Sequence, residues 1–84
     1  MKLFVDIIGW IGSVEVIAAY GLNSYQRIRS DSFMFQFLNL TGAFFLIINT
    51  VYYGAYPSTF INIIWVVIAI PALYKILKSK TPSI

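Results

Sequence analysis

An all-α integral membrane protein, with three transmembrane helices in one bundle, is the fold class this sequence predicts. Three observations predict it. Apolar runs over residues 3–22, 33–53 and 58–77 each approach the length a bilayer-spanning helix needs, about 20 residues at about 1.5 Å of rise. The 84 residues are 60% hydrophobic and 11% charged, more apolar side chain than a soluble domain of this size can hide from water. The turn at Gly54-Ala55-Tyr56-Pro57 is too short to join anything but antiparallel neighbours. No linker, repeat or composition shift divides the chain, so residues 1–84 read as a single domain.

Each element has its own local reasons. The first run contains Asp6 and Glu15, is preceded by a single Lys2, and shows no small-x-small cleavage site, so it is expected to be a mature helix and not a signal peptide. The polar segment Asn23–Ser32 follows, and Ser30, Asp31 or Ser32 is expected to cap the second helix. Pro57 suits the first turn of the third helix, where a missing N–H costs nothing, with Ser58 or Thr59 as the cap. Pro71 interrupts that helix's hydrogen-bond ladder and is expected to kink it. Residues from Lys78 to Ile84 read as an exposed tail.

Basic residues set the expected orientation. Arg27, Arg29, Lys75, Lys78 and Lys80 fall at one membrane face and only Lys2 at the other. The positive-inside rule then puts the N-terminus outside and the C-terminus in the cytoplasm. Tyr52, Tyr53 and Tyr56 would join an outer aromatic belt, and Tyr25 and Tyr74 the inner one. The ten residues from Asn23 to Ser32 could reach about 30 Å when extended. That permits the first helix to cross over and pack beyond the third, in the order 1-3-2.

Several chemistries are excluded by composition. The chain has no histidine and no cysteine, and its acids are Asp6, Glu15 and Asp31. No catalytic triad, metal cluster or carboxylate pair can be assembled from these within one chain, so no enzymatic role, metal or cofactor is expected. A net charge of +3 is too small and too localised for nucleic-acid binding.

The polar residues inside the spans carry the functional question, because each is costly there without a partner. Gly12, Glu15, Ala19, Leu22 and Gln26 share one side of the first helix, thickened by Gly9 and Ser13. Such a stripe suits close small-xxx-small packing. Glu15 is read as either a structural hydrogen-bond partner, reaching a carbonyl freed by Pro71, or a proton-coupled acid. Asn49 and Asn62 lie about equally far from the Gly54 turn. They are expected at similar depth on facing helices, either bonding one to the other or forming a polar ledge for a solute, with Trp65 supplying a ring face.

A basic connection after the first helix, Tyr53-Gly54 closing the second, and Pro57-x-x-x-x-Asn62 entering the third resemble the PQ-loop superfamily, and within it the bacterial sugar half-transporters called SemiSWEETs. The resemblance covers about residues 9–77. It implies a three-helix bundle ordered 1-3-2, residence in a bacterial inner membrane, and two parallel copies forming a path for a small polar solute such as a sugar. Carried over by position, Asn62 matches the solute-facing asparagine and Gln26 the glutamine of the Pro-Gln pair. Tyr25 stands where the hinge proline belongs, and Thr50 where the binding tryptophan belongs. The resemblance thus implies Asn62 and the Thr50 position at a solute site and Tyr25 and Gln26 as loop or hinge positions, to which the polar ledge adds Asn49 and Trp65 and the broken helix ladder adds Pro71.

Two functions follow as expectations. One is a homodimeric half-transporter for a small polar solute. The other is a non-transporting small subunit of a larger membrane complex, which fits the altered hinge and the missing tryptophan.

Overall fold

A computed structural model describes residues 1–79, and the expected exposure of the tail beyond Ser79, with Lys80, lies outside the described residues. The chain forms three α-helices: α1 (Lys2–Ser24), α2 (Phe33–Tyr52) and α3 (Tyr56–Ser79). All three are long and apolar enough to cross a membrane, and the protein is an integral membrane protein by that criterion.

The ends of the helices follow from local chemistry. Ser32 begins α2, its hydroxyl accepting the Phe35 N–H at 3.1 Å, so of the three candidate caps it is the last that serves. The α2 end is a Schellman turn. Gly54 adopts a φ of 71°, the Ala55 N–H reaches the Thr50 carbonyl at 2.8 Å and the Gly54 N–H reaches that of Val51 at 3.1 Å. α1 ends the same way, with Arg27 N–H to Leu22 O at 2.8 Å and Gln26 N–H to Asn23 O at 3.0 Å. Here Gln26 occupies the left-handed position, at φ 59°. The glutamine read as a hinge element is thus the residue that reverses the chain, and Tyr25 is the last residue before the reversal.

α3 starts two residues earlier than the sequence suggests. Its first bond runs from the Thr59 N–H to the Ala55 carbonyl, and Pro57 lies inside the first turn. Neither Ser58 nor Thr59 acts as the cap, because the Thr59 hydroxyl is turned onto α2. α3 continues as one helix through Pro71.

The helix order differs from 1-3-2. α2 packs against both α1 and α3, and no Cα of α1 comes within 8 Å of one in α3. α2 is therefore the central helix. The long connection is not used as a crossover: Ile28 folds back to pack with Ala19 and Phe35, Asn23 Nδ2 donates to the Ile28 carbonyl at 3.1 Å, and Gln36 Nε2 donates to that of Ser30 at 3.0 Å. This knot of contacts shortens the span and places α2 directly beside α1. At the same end Tyr20 of α1 touches Phe35 edge-on, with centroids 5.7 Å apart, and reaches across to Trp65 of α3 at 6.1 Å.

The left-handed Gln26 is a place where a side chain costs stability, about 1 kcal/mol. Gln26→Gly is expected to stabilise the detergent-solubilised protein by about that amount, and Gly54→Ala to destabilise it by a similar amount. Reversible unfolding in mixed micelles measures both. Equal stability of Gln26→Gly and the parent would contradict the assigned turn.

Candidate functional site

The polar residues of the membrane interior divide between the two faces of α2. On the α1 side the backbones come unusually close. A Cβ on Gly12 would lie 2.7 Å from the Gly42 carbonyl oxygen, and one on Gly42 would lie 3.0 Å from that of Gly12. Only glycine at both positions allows this approach, which realises the small-residue packing expected of α1. Gly9 provides a second notch, filled by the Asn49 side chain, and Asn49 Nδ2 donates to the Val5 carbonyl at 3.0 Å.

Glu15 sits beside this crossing. Its Oε2 accepts from the Thr41 hydroxyl at 2.6 Å, and the same hydroxyl lies 2.9 Å from the Phe37 carbonyl. Its Oε1 is buried and has no hydrogen-bond partner among the described residues. The expected bond from Glu15 to a carbonyl freed by Pro71 does not form, since α1 does not pack on α3 and the carboxylate faces α2.

The α3 side of α2 carries a hydroxyl relay. The Thr59 hydroxyl donates to Thr50 Oγ1 at 2.6 Å, and that of Thr50 donates to the Leu46 carbonyl at 2.7 Å. Asn62 is nearly buried, at 9% exposure, and its Nδ2 donates to the Ser58 carbonyl of its own helix at 2.9 Å.

The four residues expected at a solute site therefore do not converge. Asn49 and Thr50 are neighbours on a helix, so they point about 100° apart, Asn49 to α1 and Thr50 to α3. Asn62 lies against α2 on the α3 side, and Trp65 is half-exposed near Tyr20. Asn49 and Asn62 do not face each other, because α2 turns Asn49 away from α3. Pro71 lies on the exposed part of α3. Among the described residues no group of His, Cys, Asp or Glu could hold a metal ion.

Within the spans a polar groove is lined by Asp6, Gly9, Trp10, Ser13, Leu46 and Asn49 and is open at the side of α1 and α2. Its volume is about 190 Å³, below the roughly 300–1,000 Å³ of typical small-molecule sites. Sequence reasoning missed this groove because it depended on a different helix order. It also missed the cluster at the rim, where the Tyr53 hydroxyl donates to Asp6 Oδ1 and Lys2 Nζ pairs with Asp6 Oδ2 at 2.9 Å. The i, i+4 spacing of Lys2 and Asp6 was the available signal; the pairing of Tyr53 with Asp6, 47 residues away, has no local signature.

That cluster ties the start of α1 to the end of α2. The hydrogen bond to the Asp6 carboxylate raises the Tyr53 phenol above its ordinary value near 10. A raised value in the folded state means the bond contributes below the ordinary phenol range and is lost as pH rises through the raised value. Asp6→Asn is expected to make one tyrosine ionise at lower pH, read from the phenolate absorbance. An unchanged titration would show that the pair is not formed.

The glycine crossing gives a second prediction. Gly12→Ala is expected to cost about 1–3 kcal/mol, the range for forcing extra volume into a packed contact. Gly21→Ala, where a Cβ meets nothing within 4 Å, is expected to be neutral or to stabilise by up to about 1 kcal/mol through helix propensity. Unfolding of the two variants in mixed micelles compares them directly.

No curated protein and no solved structure matches the chain. A family model matches residues 5–80, from the first turn of α1 to the end of α3, and the chain belongs to that uncharacterised family.

Proposed function

We propose that this protein is a non-transporting integral membrane subunit that contributes a three-helix unit to a larger complex. The observation carrying this reading is the use made of the intramembrane polar side chains. Asn49, Thr50, Thr59, Asn62 and Thr41 are all engaged in hydrogen bonds within the chain, on two different faces of α2. The Asn49, Thr41 and Thr59 bonds fasten one helix to another and the Asn62 bond closes within α3, so Asn49, Thr50 and Asn62 form no shared ledge for a solute. Among the described residues the α3 backbone approaches only that of α2, and α3 keeps most of its apolar surface uncovered, so the unit has a large flank available to other helices. Arg27, Arg29, Lys75 and Lys78 at the Arg27 end support an N-terminus outside and a C-terminus in the cytoplasm.

The polar groove beside Asp6, Ser13 and Asn49 favours a second reading, the homodimeric half-transporter of a bacterial inner membrane. The groove is too small and open to hold a sugar by itself, and a second copy would have to close it. Glu15 would then be a proton-coupled acid at the base of the same helix pair.

Gentle extraction from native membranes, followed by mass and composition of the complex, separates the two. Foreign subunits in fixed ratio are expected. A two-copy homomer whose solute flux is abolished by Ser13→Leu would contradict the subunit reading and support the half-transporter.

A further inference from the structure

The turn that ends α1 also shapes the surface beside it. Ala18, Gly21, Leu22 and Tyr25 recur at spacings of three and four and so share one face of the last two turns. With Arg27 they line an open groove whose walls are almost wholly apolar. Gly21 leaves the floor empty, since a Cβ there would meet no atom within 4 Å. Gln26, in its left-handed conformation, reverses the chain so that the Arg27 N–H bonds back to the Leu22 carbonyl. The reversal brings Arg27 to the polar end of the groove.

Arg27 and Arg29 differ in one respect. Arg29 donates to Asp31 at 2.7 Å, whereas the Arg27 side chain has no hydrogen bond or ion pair among the described residues. In a membrane-spanning α1 the groove lies at one end of the span, where acyl chains meet headgroups. A guanidinium above an apolar channel matches a molecule with a phosphate at one end and a hydrocarbon chain at the other.

We propose that this groove binds one anionic phospholipid, with its phosphate on Arg27 and an acyl chain along Ala18, Gly21 and Leu22. Charge complementarity selects the anionic lipid. The same end of the molecule carries Arg29, Lys75 and Lys78 with Asp31 as the only acid among the described residues, so a zwitterionic headgroup would bring a further cation into a positive field. One basic residue near a membrane surface is worth about 1 kcal/mol toward anionic lipid, or roughly a fivefold preference. The site is independent of whether the protein is a subunit or a half-transporter.

Native mass spectrometry of the protein released from vesicles of equal phosphatidylglycerol and phosphatidylcholine tests this. The parent is expected to retain one phosphatidylglycerol in about fivefold preference, Arg27→Gln to lose that preference, and Arg29→Gln to keep it. Gly21→Leu is expected to lower retention of both lipids by filling the channel. Ala18→Leu provides a second obstruction, should Gly21→Leu lose its helical circular dichroism. Equal retention of the two lipids by the parent, an unchanged preference in Arg27→Gln, or the same loss in Arg29→Gln would overturn the site. So would undiminished retention in both leucine variants.

Discussion

The rest of the structure depends on how closely α1 and α2 cross at Gly12 and Gly42. A membrane offers little hydrophobic drive between helices, so association rests on backbone proximity and on hydrogen bonds that proximity allows. With the two backbones so close that a Cβ on either glycine would lie 3.0 Å or less from the opposing carbonyl, Asn49 can reach the Val5 backbone and Glu15 can reach Thr41. The same crossing brings Asp6 under Tyr53 at the far end. Moving α1 outward by one methyl group would strain all three contacts together.

α2 becomes the central helix because it has two usable faces. One is the notch at Gly42, cut for α1. The other is the hydroxyl of Thr50, which receives Thr59 from α3. Between α3 and α1 the Trp65 ring meets Tyr20, while among the described residues the backbones stay more than 8 Å apart. The role of α3 in the unit is to present apolar surface, which suits a piece of a larger assembly better than the wall of a solute path.

Much of the fold was legible in the sequence. The three spans could be read from apolar run length, the α2–α3 reversal from Gly54, and the start of α2 from Ser32, because each depends on a few adjacent residues. The small face of α1 was visible too, from the spacing of Gly9 and Gly12. The helix order was not, since a ten-residue connection permits two arrangements and the folding back of Ile28, which decides between them, leaves no local signature. The site suffered from the same gap. Pairing Asn49 with Asn62 rested on distance from the turn, which says nothing about rotation, and Asn49 and Thr50 point to opposite neighbours although adjacent in sequence.

The absence of native cysteine makes disulfide trapping the most direct test of a central α2. Thr50→Cys with Thr59→Cys, whose parent hydroxyls lie 2.6 Å apart, is expected to form an intramolecular disulfide in membranes. Ser13→Cys with Val66→Cys, on helices whose Cα atoms stay beyond 8 Å, is expected to form none, since a disulfide needs Cα atoms within about 7 Å. Efficient intramolecular closure of the Ser13–Val66 pair would place α1 against α3 and contradict the account.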